Sequence, residues 1–202
     1  MKKGILLDRD GTLIDVVRDE ETGVITTAFH PSQLRLLNGV EDGLALLHRA
    51  GYLLAIATNQ PGPAKGHFGR DAVIRTNDAL VAQLAEQGIP IRQVAVCMHH
   101  PEGAAGGDPS LIGPCDCRKP KPGLLLQLIE DLGLDAKSSW ALGDTSSDIE
   151  AGRAAGLRTG LLLARNRCEL CPLRAGPTGV LPDVTGATLL EVAHAILAVN
   201  DA

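Results

Sequence analysis

Short apolar runs alternate with segments of helical spacing along most of the chain. The runs have the length of strands and lie at residues 4–7, 52–57, 93–98, 139–143 and 159–164. Helical spacing is predicted from Arg70 to about Gln87, after Ser146, and in an apolar stripe over 124–132 that Gly133 ends. Because strands that alternate with helices form parallel sheets covered on both faces, the pattern predicts a three-layer, Rossmann-like α/β fold.

Length and composition favour one domain and weigh against nucleic-acid and membrane partners. The chain has 202 residues and a formal net charge of −5. That length suits a single domain, 1–202, with a sizeable core. Phe29, Tyr52, Phe68 and Trp140 are too few aromatic residues to predict a base-stacking surface. No run approaches the roughly 18 apolar residues of a membrane span, and the amino terminus lacks a signal-peptide pattern. We therefore expect a cytoplasmic monomer.

Chemically reactive residues stand at the ends of four predicted strands. In open parallel sheets, ligands bind in the crevice beyond the carboxyl ends of the strands, so residues far apart in sequence converge there. We therefore expect one functional site at this edge. The residues are Asp8 and Asp10 after the first strand, Thr58, Asn59 and Gln60 after the second, Cys97 and His99 after the third, and Asp144 after the fourth.

The first strand ends in two closely spaced carboxylates. Residues two apart in an extended chain point to the same side, about 6.5 to 7 Å apart, so Asp8 and Asp10 can face one cavity while Arg9 points elsewhere. Gly11 permits the turn that follows. Nearby carboxylates take separate roles when a divalent cation neutralises one and burial raises the pKa of the other. The pair predicts a nucleophile beside a general acid.

This stretch, DRDGT over 8–12, resembles the first motif of the haloacid dehalogenase superfamily of phosphotransferases. Thr58, Lys119 and Gly143-Asp144, with Asp148 four residues later, match the other three motifs of that superfamily in order. The resemblance implies a Mg²⁺-dependent phosphatase with a minimal cap, because the chain has no room for a large insertion.

The resemblance also implies roles for the carboxylates. Asp8 is expected to attack phosphorus and form an aspartyl-phosphate, which splits hydrolysis into two easier displacements. Asp10 is expected to protonate the leaving oxygen and then to activate water. Mg²⁺ prefers hard oxygen ligands, so Asp8, the backbone carbonyl of Asp10, and Asp144 are its expected ligands.

Thr58 and Lys119 are expected to hold the remaining phosphoryl oxygens and to offset their charge. Asp148 is expected behind these groups, where it would orient Lys119 or a metal-bound water. The alternative for Asp148 is an acid in the first turn of a helix, where it favours the helix dipole.

A second set of metal ligands follows the third strand. Cys97, His99, Cys115 and Cys117 form a Cys₃His set, which closes a tetrahedral zinc site and leaves no position for water. A structural zinc ion is therefore expected to hold the loop over 97–117, called the zinc loop below, with His100 as a rival to His99. The pattern CxHHPE followed by CDCRKPKPG resembles the zinc-loop subgroup of the superfamily, and the resemblance implies that His99 is the ligand.

Positive charge near the predicted site exceeds what one phosphate group needs, which favours a sugar bisphosphate. The zinc loop also resembles that of heptose 1,7-bisphosphate phosphatases, which remove the C7 phosphate, more than the shorter loop of histidinol-phosphate phosphatases. The resemblance therefore implies the former substrate, with histidinol phosphate or another small phosphosugar as the alternative. The candidate substrate-binding residues are Asn59, Gln60, Lys65 and Arg118.

The chain departs from the subgroup over 58–66, where it reads TNQPGPAKG instead of TNQSGIARG. Pro61 and Pro63 remove backbone donors, and Lys65 replaces a forked guanidinium by a point charge. These changes affect the pocket for a distal phosphate and leave the catalytic centre intact. An ordinary solvated lysine is the alternative interpretation of Lys65.

Two readings from other classes remain open at this point. A phospho-receiver domain also combines a metal, an acceptor aspartate, a threonine and a lysine, but its acceptor lies at the end of a later strand. A zinc-stabilised binding module with an inactive site would keep the cysteines and lose hydrolysis.

Cys168 and Cys171 lie outside the family pattern, in an irregular segment over about 165–185. A redox pair or a partial metal site are the alternatives there. Because no second pair of ligands is near them in sequence, we interpret them as free thiols in a surface loop.

Overall fold

The computed structural model describes residues 2–18, 21, 23, 25–163 and 180–200. Its centre is a six-stranded sheet in the order β5-β4-β1-β6-β7-β8, in which every neighbouring pair is parallel. Because β1 lies between β4 and β6, residues after these three strands meet at the middle of one sheet edge. The strands are β1 (Gly4–Leu7), β2 (Val17–Arg18), β3 (Ile25–Thr26), β4 (Leu53–Asn59), β5 (Ile91–Cys97), β6 (Trp140–Gly143), β7 (Arg158–Leu162) and β8 (Val184–Gly186).

Helices cover both faces of this sheet. Alternate side chains of β1 enter different cores: Ile5 and Leu7 pack in a cluster with one set of helices, and Leu6 packs in a second cluster with the other set. The first set is α1 (Val40–Arg49), α2 (Arg70–Glu86) and α5 (Leu189–Asn200), and the second is α3 (Gly123–Leu132) and α4 (Ser146–Ala154). The predicted three-layer α/β fold is therefore confirmed.

The apolar runs predict five of the six strands of the central sheet, and helical spacing predicts α2, α3 and α4. Gly133 ends α3 in the left-handed conformation, with φ of 63°, as its position after the apolar stripe predicts. The sequence patterns leave β2, β3, β8, α1 and α5 unassigned. β8 has three residues, too few for a periodic pattern.

Between β1 and α1, the chain forms a two-stranded antiparallel hairpin from β2 and β3, in keeping with the expected minimal cap. None of the helices described is long and apolar enough to cross a membrane. Residues 164–179, which include Cys168 and Cys171, lie outside the described residues. The single-domain bounds 1–202 and the irregular segment over 165–185 stay predictions.

Candidate active site and metal centre

The strand ends of β1, β4 and β6 surround a cleft of about 230 Å³, called the catalytic cleft below. Asp8 follows β1, Asn59 ends β4, and Asp144 follows β6. Lys119 reaches the same cleft from the segment before α3. The lining residues are Asp8, Asp10, Val16, Asn59, Lys119, Asp144, Thr145, Ser147 and Asp148. Four of the residues expected at one site line this cleft, namely Asp8, Asp10, Asn59 and Asp144, whereas Thr58, Gln60, Cys97 and His99 are not in its lining.

Lys119 is the charged centre of this cleft. Its side chain is buried, and its Nζ donates hydrogen bonds to Asp8 Oδ1 at 2.6 Å, to Asp148 Oδ1 at 2.6 Å and to the Ala57 carbonyl oxygen at 2.8 Å. Burial alone would lower the pKa of Lys119, but the two carboxylates outweigh it and raise the pKa above its usual value. Lys119 therefore carries a fixed positive charge against Asp8.

Burial also controls Asp8. It raises the pKa of Asp8 to about 7, and the carboxylates of Asp148 and Asp10 act in the same direction, whereas the ammonium of Lys119 opposes them. A nucleophilic carboxylate must be ionised. A further positive charge near Asp8, such as a bound cation, would therefore favour the ionised form that acts as the nucleophile.

Asp148 is fixed from two sides. Its Oδ2 accepts hydrogen bonds from the backbone N–H and the hydroxyl of Thr145, which caps α4, while its Oδ1 contacts Lys119. Gly143 allows this approach, because a Cβ there would lie 2.2 Å from the Asp148 carboxyl carbon. Asp148 therefore lies in the first turn of a helix and also contacts Lys119, so the two interpretations are compatible, and its orienting role stays a prediction.

Carboxylates of the catalytic cleft form a candidate cation site. Oxygen atoms of Asp8, Asp144 and Asp148 lie within 4.8 Å of one another. Three carboxylates face one ammonium there, so the group is suited to a hard divalent cation such as Mg²⁺. Asp148 lies as close as the two predicted side-chain ligands, although the sequence placed it outside the metal shell.

Asp10 is held by side chains that the sequence did not connect to it. Gln60 is fully buried, and its Nε2 donates to Asp10 Oδ2 at 2.6 Å and to Thr58 Oγ1 at 2.9 Å. The Gln60 amide therefore contacts Asp10 and Thr58, and its predicted contact with substrate stays a prediction. Arg9 is also fully buried and contacts Asp10, so its side chain does not point away from the site as predicted.

Thr58 and Asn59 are the last two residues of β4, and their side chains make different contacts. The Asn59 side chain donates to the carbonyl oxygen of Lys119 and accepts from the N–H of Lys119, both at 3.1 Å. Asn59 therefore holds the backbone of Lys119 against β4 and also lines the catalytic cleft. Thr58 is buried, with its hydroxyl accepting from Gln60.

A second cleft of about 280 Å³, called the adjoining cleft below, shares Asp10, Val16 and Asn59 with the first. Its lining also includes Lys65 and His67. The lining is completed by Ile25, Thr26, Thr27, Pro61, Gly62 and Phe68. A molecule that occupies both clefts would meet Asp8 and Lys119 in one and Lys65 in the other.

Arg118 does not join these residues. Among the described residues, it is in the lining of neither cleft, and its Nη1 donates to the carbonyl oxygen of His99 at 3.4 Å. Its guanidinium therefore lies against the zinc loop in this structure, and its contact with substrate stays a prediction.

The predicted zinc ligands lie together. Donor atoms of Cys97, His99, Cys115 and Cys117 are all within 4.8 Å of one another. Ligands of a tetrahedral zinc ion lie about 3.5 to 3.8 Å apart. The distances from Cys97 Sγ to Cys115 Sγ and to His99 Nδ1 are both 3.8 Å, and Cys117 Sγ lies 3.4 Å from His99 Nδ1. Cys97 and Cys117 Sγ, at 2.7 Å, would move apart around an ion.

His100, the rival ligand, has another partner. Its Nδ1 accepts hydrogen bonds from the backbone N–H groups of Gly103 at 3.0 Å and Glu102 at 3.3 Å. His100 therefore orders the start of the glycine-rich part of the zinc loop. Three thiols and the His99 imidazole lie together and are suited to bind zinc, whereas His100 is not part of this group.

The zinc loop packs directly on the segment that carries Lys65. Asp108 N–H donates to the Pro63 carbonyl oxygen at 2.9 Å, and Ala104 N–H donates to the Ala64 carbonyl oxygen at 3.2 Å. A Cβ on Gly107 would lie 1.9 Å from the same Ala64 oxygen, so the two segments touch through backbone. Order in the zinc loop therefore supports one wall of the adjoining cleft.

Comparisons with known proteins show similarity in sequence and in fold. A family model described as HAD-hydrolase-like matches residues 116–187. The D-glycero-β-D-manno-heptose-1,7-bisphosphate 7-phosphatase of Pasteurella multocida is 36% identical over 163 residues, which cover 81% of this chain and 82% of the relative. The enzyme of that name from Haemophilus influenzae is 37% identical over 164 residues, with the same coverages.

Among solved structures, the D,D-heptose 1,7-bisphosphate phosphatase from B. bronchiseptica, complexed with magnesium and phosphate, superposes with a TM-score of 0.77. It is 26% identical, and the match covers 97% of this chain and 98% of that one. The fold and the matches define a phosphatase of the haloacid dehalogenase-like class. Within that class, the chain belongs to the family of the D-glycero-β-D-manno-heptose-1,7-bisphosphate 7-phosphatases.

Proposed function

We propose that this phosphatase removes the C7 phosphate of a D-glycero-D-manno-heptose 1,7-bisphosphate through an aspartyl-phosphate intermediate, an acyl phosphate, on Asp8. The observation that carries the proposal is the junction of two clefts at Asp10, with Asp8 and Lys119 in one and Lys65 in the other. A substrate with two phosphates can occupy both. The names of the relatives support the same substrate.

In the proposed reaction, an Asp8 carboxylate oxygen attacks phosphorus and the bond from phosphorus to the C7 oxygen breaks. Asp10 gives its proton to the departing sugar oxygen. Asp10 then takes a proton from a water molecule that attacks phosphorus, and the bond from phosphorus to Asp8 breaks to release inorganic phosphate. Each step is a displacement with proton transfer by one positioned carboxyl group.

Lys119 and Thr58 are proposed to hold the phosphoryl oxygens. The contact of Lys119 Nζ with Asp8 at 2.6 Å places a positive charge beside the oxygen that would attack, where it offsets charge on the transferring group. Asp148 orients Lys119 through its own 2.6 Å contact. Lys65 would bind the distal phosphate as a point charge, and His67 lies in the same lining.

The donor sets support two metals. Asp8, Asp144 and the backbone carbonyl of Asp10 are proposed to hold Mg²⁺, with Asp148 close enough to take part. When bound, Mg²⁺ would supply positive charge against the phosphoryl oxygens. Cys97, His99, Cys115 and Cys117 are proposed to hold a structural zinc ion. The cytoplasmic location and the monomeric state stay predictions.

A panel of kcat/KM values tests the substrate. We expect one anomer of heptose 1,7-bisphosphate to exceed histidinol phosphate and simple sugar monophosphates by at least about 100-fold, because only the bisphosphate reaches Lys65. Lys65→Ala is expected to raise KM for the bisphosphate and to leave monophosphate hydrolysis unchanged. Lys137→Ala, which removes an exposed lysine outside both clefts, is the matched control. A preference for histidinol phosphate would overturn the assignment.

A further inference from the structure

A permanently charged side chain is enclosed beside the proposed general acid. Arg9 has no exposed surface, and withdrawing a guanidinium from water is unfavourable by several kcal/mol unless it is paired and hydrogen-bonded. Its Nε lies 3.1 Å from Asp10 Oδ2 and its Nη2 lies 3.3 Å from Asp10 Oδ1. Two nitrogens therefore meet the two oxygens of one carboxylate, which fixes the plane of that carboxylate as well as its position.

The guanidinium is anchored from outside the catalytic cleft. Its Nη1 donates to Asn77 Oδ1 of α2 at 2.6 Å, and its Nη2 donates to the carbonyl oxygen of Ala28 at 2.9 Å. Asn77 and Ala28 are both buried. The orientation of Arg9 is therefore set by the packed body of the protein.

Thr27 completes the arrangement from the cap side. It follows β3 of the hairpin and lines the adjoining cleft. Its hydroxyl donates to Asp10 Oδ1 and accepts from Arg9 Nη2. Together with Gln60 on Oδ2, these contacts give each oxygen of the ionised Asp10 carboxylate two donors. The Thr27 hydroxyl can instead donate to Gln60 Oε1 at 3.2 Å, which frees Asp10 Oδ1 to carry the proton.

We propose that Arg9 and Thr27 are positioning residues that hold Asp10 in the orientation needed for proton transfer in both steps of the reaction. The inference rests on the proposed acid–base role of Asp10. That carboxyl group must face the leaving sugar oxygen first and the attacking water second, and small errors in alignment slow such transfers strongly. A carboxylate clamped at both oxygens keeps one alignment for both steps.

Esters with different leaving groups distinguish a role in positioning Asp10 from a general role in stabilising the fold. A sugar alkoxide needs a proton as it departs, whereas p-nitrophenolate leaves without one. With enzyme in excess over ester, leaving-group release reports the phosphorylation of Asp8 alone. We expect Thr27→Val to slow that release from the heptose bisphosphate by about tenfold or more and to leave release from p-nitrophenyl phosphate within about threefold of wild type. With excess p-nitrophenyl phosphate, the variant is expected to give a burst of one equivalent and then slow turnover.

Thr76→Val is the matched control, because it removes another buried hydroxyl, bonded within α2 to the Ala72 carbonyl oxygen. Arg9→Lys keeps the charge, loses the fork, and is expected to behave like Thr27→Val; the latter decides the question if Arg9→Lys does not fold. Equal slowing of both esters, or a Thr27→Val variant that matches Thr76→Val, would overturn the positioning role.

Asp10→Asn separates this inference from the proposed function. If Asp10→Asn cleaves the sugar ester at the wild-type rate, the acid–base assignment itself fails. If Asp10→Asn shows the leaving-group selectivity and Thr27→Val does not, the assignment stands and the positioning role alone fails.

Discussion

Replacing Lys119 by methionine removes the ammonium that Asp8 and Asp148 share while keeping most of the side-chain volume. Lys119 is 6% exposed and makes 2.6 Å contacts with both carboxylates. Removing one partner of a buried ion pair destabilises a protein by about 3 to 5 kcal/mol, because the remaining charge is left uncompensated. For a chain of this size, that loss corresponds to a fall in Tm of roughly 6 to 20 °C.

Urea unfolding in magnesium-free buffer measures this loss without a cation to replace the missing charge. Lys121→Met is the matched control: that side chain is 53% exposed and pairs with Asp116, which is 98% exposed. An exposed pair of this kind contributes less than about 1 kcal/mol. If Lys119→Met and Lys121→Met change the free energy of unfolding equally, the buried charge cluster does not have the energetic role described above.

Other changes test the nucleophile, the zinc loop and its contact with the cleft. Asp8→Asn is expected to keep the far-ultraviolet circular dichroism of the wild type and to release no phosphate; retained turnover would require another nucleophile. Cys115→Ser is expected to reduce bound zinc, measured by elemental analysis, and to lower Tm; an unchanged Tm would contradict a structural zinc. Gly107→Ala is expected to destabilise by about 1 to 3 kcal/mol in urea, because its Cβ would lie 1.9 Å from the Ala64 oxygen, whereas Gly69→Ala meets open space and serves as the control.

Local spacing was enough to find the residues that each strand end presents. Asp8 and Asp10 are two apart at the end of β1, so their placement at the sheet's carboxyl end follows from strand geometry and from the parallel sheet. Cys115 and Cys117 lie in a loop, and the ligand chemistry of the Cys₃His set is what pairs them with Cys97 and His99. The three-layer fold follows from the alternation of apolar runs and helical segments for the same reason. These features depend on short-range pattern.

The side chains that contact Asp10 are brought there by tertiary packing, which the spacing of residues in the sequence does not predict. Arg9 contacts Asn77, which is 68 positions away in sequence, and Thr27 contacts Asp10, which is 17 positions away. The one signal in the sequence is Arg9, a charged residue that lies between Asp8 and Asp10 directly after an apolar strand. The position of Gln60 after a strand predicts contact with substrate, and the packing adds a contact with Asp10 that the sequence does not show.

The central claim is that phosphorus becomes bonded to the side chain of Asp8 during turnover. Rapid acid quenching during hydrolysis, followed by borohydride reduction, converts an aspartyl-phosphate to homoserine, which tandem mass spectrometry can locate in the sequence. We predict homoserine at position 8 in quenched wild-type enzyme and its absence when substrate is omitted. Homoserine at another position, or unmodified Asp8 while phosphate is being released, would contradict the mechanism.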